Sequence, residues 1–280
     1  MVDFPLSPKA RRCGNGYIDV CPAHEDRTPS LSISEGKDGK ILLHCFAGCG
    51  FDEIISAAGL ANQKVSISKK FEGSTHSVNS TVDRINHAIS IWNTTQPIPG
   101  SIAEIYLNSR WLQTWSSDMR FHPKLYFSDD RTERPTLVCA VRREGKIVGI
   151  HRTFLTNAGE KLGKKMLGPC GGGSVYVGGD GDVTAIAEGI ENALSVRIMS
   201  GDYRARYFAA LSATGMSKLK LPEDRGQLMI FADGDKTGMS AAYELGERAS
   251  LQGWNANTMI PPNNRDWNDE LIAGLVGSTC

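Results

Sequence analysis

The sequence predicts an α/β chain, α+β overall, in three parts: a small N-terminal ribbon, a β-rich basic middle and a C-terminal domain around a parallel sheet. Three observations carry this. Two short pairs of soft ligands, Cys21/His24 and Cys45/Cys49, sit near the start. Alternating apolar residues flank a Glu-Gly pair at 144–145, with basic residues on both sides. Two apolar runs near the end, Val183 to Ala187 and Leu228 to Ala232, each stop at acids, first Glu188 and then Asp233-Gly234-Asp235. Boundaries are expected at 1–62, 63–95, 96–180 and 181–280.

At 280 residues the chain is long enough for two domains. No run approaches the ~20 apolar residues of a membrane span, and the N-terminal "MVDFPLSPKARR" lacks an apolar signal core, so a cytoplasmic address without membrane contact is expected. The 31 basic and 31 acidic residues cancel, so a nucleic-acid partner must be met by local basic patches. Seven cysteines without a secretory signal argue against a disulfide framework and for metal.

In the N-terminal part, "VCPAHEDRTPS" carries the C-x2-H pair and "LLHCFAGCG" the C-x3-C pair. Each bites one ion from a tight turn, and the residues between read as strands and turns of a zinc ribbon. Thiolate and imidazole select tetrahedral Zn²⁺ over hard cations. His44, beside Cys45 in an extended strand, points to the other face, and Cys13 is surplus to a complete tetrahedron. The module is expected to have almost no apolar core, so zinc supplies much of its folding free energy. Arg27, Lys37 and Lys40 are candidate phosphate contacts.

Residues Asn62 to about Ser80 are rich in Ser, Lys, Asn and Thr and read as a tether. "VDRINHAISIWNTT" follows with Val82, Ile85, Ile89 and Trp92 at helical spacing, a short amphipathic helix whose stripe is core. A second helix is expected at Ser101 to Ser109, with Ile102, Ile105 and Tyr106 on one face. "TLVCAVRREGKIVGIHRTFL" reads as a hairpin turning at Glu-Gly-Lys. Downstream, Lys161, Lys164 and Lys165 precede the glycines at 171–173, and with Arg142, Arg143, Lys146 and Arg152 they concentrate positive charge. No G-x-x-x-x-G-K-[ST] is present, so no helicase motor is encoded and unwinding falls to another protein.

In the C-terminal part, the strands deliver Glu188, Asp233 and Asp235 to the carboxyl edge of a parallel sheet, where α/β folds place ligands. Gly234 lets the turn aim both aspartates at one ion. Carboxylates suit hard Mg²⁺, or Mn²⁺, which binds phosphate oxygens. Asp266 and Asp269 precede a helical pattern, where they cap the helix or add carboxylates.

These motifs carry a resemblance. Glu188, the Asp-x-Asp 233 − 188 = 45 residues later, and "DGDKTGMSAA" with Gly238 and Ala241-Ala242 resemble the TOPRIM domain of primases, topoisomerases and related nucleases. "CPAHEDRTPSLSIS" and "HCFAGCGFDEII" resemble the zinc module of bacterial, phage and plasmid DNA primases, with x3 in the second pair as in phage and plasmid members. Many primase relatives carry a further acid four residues after the Glu, where this chain has Asn192, with Glu191 one position earlier. The resemblance implies RNA primer synthesis on single-stranded DNA from nucleoside triphosphates, by nucleotidyl transfer at magnesium held by Glu188, Asp233 and Asp235, with Asp266 and Asp269 as further ligands. It also implies template choice by the zinc module, nucleotide or DNA contacts at Gly149, Arg152, Lys164, Lys165 and Lys236, and a replicative helicase as partner. A TOPRIM nuclease and a non-catalytic DNA-binding replication accessory are the alternatives; a topoisomerase needs a further large domain carrying a tyrosine.

Overall fold

The computed structural model describes residues 4–13, 16–26, 29–35, 41–46, 49–60, 75–201, 204–223, 225–262 and 265–277. They fall into two compact units, Met1–Thr75 and His76–Cys280. Arg27, Lys37 and Lys40 lie outside the described residues, as does the tether until Thr75, where a helix begins.

In the first unit, period-two alternation builds an antiparallel sheet of β1 (Arg11–Cys13), β2 (Gly16–Asp19), β3 (Leu31–Glu35) and β4 (Ile41–Cys45), paired in chain order. Helix α1 (Phe51–Ala57) follows. The module has more of a core than its sequence predicts. Leu31, Ile33 and Ile41 from the strands are joined by Phe4, Ile54, Ile55 and Leu60 from outside the strands, and all seven are buried around Cys21 and Cys45. His44 is exposed and meets the ring of Phe46 edge-on at 5.0 Å.

The second unit opens with α2 (Thr75–Asn93) and α3 (Ile102–Ser109). At 19 residues α2 is not the short helix expected. Its buried face is also displaced from the expected stripe: Ala88 and Trp92 are buried against the meander and Val82 is exposed. In α3 the buried residues are Ala103, Tyr106 and Leu107, while Ile105 is 51 % exposed.

A four-stranded antiparallel meander comes next: β5 (Met119–Phe127), β6 (Thr132–Arg143), β7 (Lys146–Leu155) and β8 (Lys161–Leu167). The β6–β7 turn has two residues, not three. Arg143 pairs with Lys146, and Glu144 and Gly145 both take positive φ, 50° and 76°, the handedness that matches strand twist. Alternation sorts the sheet's faces. Val138, Ala140, Ile150 and Phe154 pack with Ala88 and Trp92 of α2, whereas Leu137, Cys139, Val141 and Leu155 pack toward α3 and the C-terminal sheet.

That sheet has the order β13-β12-β10-β11-β9, from β9 (Val175–Gly178), β10 (Val183–Ala187), β11 (Ala205–Ala209), β12 (Gln227–Phe231) and β13 (Asn255–Met259). The last four are parallel and β9 adds an antiparallel edge. Helices α4 (Ile190–Ser200) and α7 (Trp267–Gly277) share the core on one face, and α5 (Ala213–Ser217) and α6 (Lys236–Leu251) cover the other. No helix among the described residues is long and apolar enough to cross a membrane.

Phe154 is 1 % exposed and stacks on Phe127 at 4.5 Å, so it anchors α2 to the meander. Phe154→Ala is expected to cost about 3–5 kcal/mol, read as a lower denaturant midpoint of the full chain with an unchanged slope.

Candidate functional site

The N-terminal ligands converge. One ligand atom from each of Cys21, His24, Cys45 and Cys49 lies within 4.8 Å of every other, and His24 Nδ1 is 3.2 Å from the Cys49 sulfur. A zinc tetrahedron with Zn–S near 2.3 Å has edges of about 3.8 Å, so these residues fit that ion. Burial and the neighbouring Cys45 push the Cys21 thiol up to about 11, and burial likewise raises Cys49. A cation at the centre reverses that penalty by favouring thiolates. Asp26, unremarked in the sequence, braces the cluster. Its carboxylate accepts from the Ser30 hydroxyl at 2.6 Å and the Cys21 amide at 2.8 Å, which lowers its pKa, and it lies 3.8 Å from His24 Nε2. Cys13 is exposed on β1, apart from this group.

In the second unit, β10 and β12 are adjacent and parallel, with Ala187 beside Phe231, so Glu188 and Asp233 leave the sheet at one edge. Burial, then repulsion from Asp233 and Asp235, raises the Glu188 pKa. Asp233 is raised by burial and by the charges of Asp266 and Asp235, against a hydrogen bond from Asn192 that lowers it. Carboxylates thus concentrate here without matching counter-charge. A hard divalent cation such as Mg²⁺ fits this all-oxygen donor set. Among the described residues the tight cluster of ligand atoms is the thiol–imidazole group, while the carboxylates share a field rather than a closed cage.

The two aspartates of Asp-x-Asp are used differently. Asp235 is the N-cap of α6 and accepts from the Gly238 amide at 2.7 Å, since the first turn of a helix has unsatisfied N–H groups. Gly238 is required by close approach, because a Cβ there would lie 2.9 Å from the Asp233 Cβ. Asp266 likewise caps α7, accepting from the Asp269 amide at 2.8 Å, and Asp269 is exposed. Trp267 ties α7 to the site: its Nε1 donates to the Ala232 carbonyl at 2.8 Å and its ring meets Phe231 edge-on. Opposite, Leu211 adopts φ 77°, an uncommon conformation for a branched side chain, and donates its amide to the Glu188 carbonyl at 2.7 Å.

The basic residues do not gather at one place. Neighbours on a strand face opposite sides, so Lys164 and Lys165 on β8 diverge. Arg152 pairs across from Lys165 and shares its face, the α2 side, where Arg152 lies 5.6 Å from the Phe154 ring and Lys165 pairs with Asp129 at 2.8 Å. Lys164 pairs across from Thr153 on the other face, and its charge lowers the pKa of both Glu188 and Asp233. These lysines lie on strand β8. Arg142 is committed to buried Asp118 through Nε and a second nitrogen, and Arg143 to the carbonyls of Pro169 and Gly171. Gly149 sits under Cys170, and Lys236 is exposed at the start of α6.

Glu191 turns away from the acidic edge. Burial alone would raise it, but the Lys161 ammonium at 2.6 Å and the Tyr106 hydroxyl at 2.5 Å hold its pKa down at about 2. This trio joins α3, β8 and the first turn of α4. Nearby, burial pushes His151 down to about 4, and its Nδ1 has no hydrogen-bond partner.

Residues 171–275 match the Toprim domain, and residues 82–177 match a domain of unknown function, DUF7146. The chain therefore carries a TOPRIM domain. Forty residues are 45% identical to a DNA primase of Enterococcus faecalis, a match spanning 14% of this chain and 6% of that protein. Among solved structures, the Aquifex aeolicus primase, comprising its zinc binding and RNA polymerase domains, aligns over 96% of this chain and 80% of its own at 16% identity and a TM-score of 0.40. A DNA primase domain from Pseudomonas aeruginosa aligns over 69% and 74% at 16% and 0.40, and the bacteriophage T7 primase fragment over 56% and 63% at 15% and 0.38.

Two predictions follow from these geometries. Stripping metal with a thiol-compatible chelator is expected to expose residues 4–60 to protease while 76–280 stays protected, read by mass spectrometry of the fragments. His151, neutral when folded, takes a proton on unfolding near pH 6.5, so its contribution to stability is whole above that pH and is lost as pH falls toward 4. His151→Gln is expected to flatten the stability–pH curve across that window by roughly 3 kcal/mol, measured by urea melts.

Proposed function

We propose that this chain is a DNA primase that makes short RNA primers on single-stranded DNA by metal-dependent nucleotidyl transfer, in the replication of a phage or plasmid. The observation that carries the reading is the shared edge of β10 and β12, where Glu188 and Asp233 emerge together inside a TOPRIM domain. The clustered thiols and imidazole of the first unit support it, since that module fits zinc and the proposed role is template selection.

In this reading Glu188 and Asp233 hold a divalent ion, with Asp235 offering the carboxylate oxygen its cap leaves free and Asp266 adding charge beside Asp233. Magnesium or manganese bound there would supply Lewis acidity toward a triphosphate. Lys164, whose charge both acids feel, offsets phosphate charge during transfer. Arg152 and Lys165, on the sheet's other face, are assigned to the nucleic-acid backbone, and Lys236 to phosphate at the mouth of the site. Asp269 is a further ligand on the exposed rim. Template DNA, nucleoside triphosphates and a helicase carried by another protein are the partners.

The test is synthesis of labelled oligonucleotides on unprimed single-stranded DNA with ribonucleotides and Mg²⁺. Wild type is expected to make primers, and Asp233→Asn to lose about 100-fold or more in rate while keeping DNA affinity. Strand cleavage without synthesis would move the assignment to a nuclease, and DNA binding with neither activity to a replication accessory.

A further inference from the structure

Asn192 occupies the position where the resembling primases carry another acid, and what it touches defines a different task. It is 5 % exposed, in the first turn of α4, one helical turn beyond Glu188. Its Nδ2 donates to Asp233 Oδ1 at 2.7 Å. Its Oδ1 accepts from the backbone amide of Asn268 at 3.3 Å. A backbone N–H can only donate, so the carboxamide oxygen must face Asn268 and the NH₂ must face Asp233. The sense of the amide is therefore set by the fold rather than by rotation of the side chain.

Asn268 is in turn held by its own side-chain donors. It is fully buried, and its own Nδ2 donates to the Arg110 carbonyl and the Ser195 hydroxyl, each at 3.0 Å. The preceding Trp267 is hydrogen-bonded to Ala232, the residue before Asp233. The chain of contacts closes on itself: β12 holds Trp267, α7 holds Asn268, Asn268 orients Asn192, and Asn192 grips the carboxylate at the end of β12.

We infer that Asn192 is a positioning residue for metal binding by Asp233, with Asn268 locking its amide so that Asp233 Oδ1 is occupied and Oδ2 is the oxygen offered to the ion. This rests on the metal-site reading above. An amide at this place orients without adding charge, whereas an acid would add a ligand and a further repulsion beside Asp233. The inference makes Asp233 a monodentate ligand and gives α4 two outputs at the site: Glu188 just before its start and Asn192 within its first turns.

The experiment measures Mn²⁺ binding by electron paramagnetic resonance of the free ion, on the full zinc-loaded chain, for wild type, Asn192→Ala, the shape-conserving Asn192→Leu, and Asp233→Asn. Wild type is expected to bind an ion that Asp233→Asn loses. Either folded Asn192 variant, checked by thermal melting, is expected to weaken that affinity by about 10- to 100-fold. In primer synthesis the half-saturating Mn²⁺ concentration should rise by the same factor, while the rate at saturating Mn²⁺ stays within about twofold of wild type. Unchanged Mn²⁺ affinity in a folded Asn192 variant overturns the positioning role and leaves the metal site standing. Mn²⁺ binding that Asp233→Asn does not alter overturns both.

Discussion

Parallel pairing of β10 with β12 is the constraint on which the acidic edge depends. It sets Thr184 against Leu228 and Ala187 against Phe231, so Glu188, next after β10, and Asp233, two residues after β12, emerge at the same edge. Like charges brought together at a half-buried edge repel, which is why burial and mutual repulsion raise both Glu188 and Asp233. The fold holds them there because the strands beneath are locked between two apolar layers, with Ala185 and Ala187 packed on one side and Ile186 and Ile230 on the other. Charge is concentrated at the rim of a core that cannot relax to relieve it.

The helix starts around that rim use the same chemistry for different ends. Asp235 and Asp266 each satisfy a helix's first free amides, so both are acids with one oxygen already engaged. Engagement fixes each carboxylate's direction and keeps it near its neighbours. Leu211, held at positive φ, brings the start of α5 over Glu188, and the amide of Ala213 supports its charge. The geometry of the edge is thus written in helix termini, not in the acids alone.

A second coupling joins the meander to the TOPRIM sheet. Tyr106, Lys161 and Glu191 form a compact polar contact beside an otherwise apolar interface that includes Leu137, Cys139, Leu155, Leu194 and Val196. A partly exposed ion pair of this kind contributes little net stability, because solvent screens the attraction, but it favours this alignment of the two sheets over others. Lys164, three residues along the same strand, is consequently held where Glu188 and Asp233 feel its charge. One strand register thereby sets both the interface and the polarity of the cleft.

Much of this was legible in the sequence because local rules governed it. Period-two alternation marked β6 and β7, apolar runs ending at acids marked β10 and β12, the Glu-Gly pair marked the hairpin, and C-x2-H with C-x3-C marked a cluster whose members must meet. What could not be read were choices between faces and partners. Lys164 and Lys165 look alike in sequence, yet alternation sends one toward the acids and the other toward Asp129. The small core of the first unit was missed because Phe4, Ile54 and Ile55 join it from segments outside the strands. Asn192 and Asn268 are 76 residues apart, and only the packing of α7 beside α4 gives each a meaning. Sequence by itself determined the residue types, the strands and the ends at which acids emerge, since these follow from neighbours along the chain; tertiary structure decided which oxygen, amide or ammonium each side chain meets, since those contacts exist only once distant segments are packed against one core.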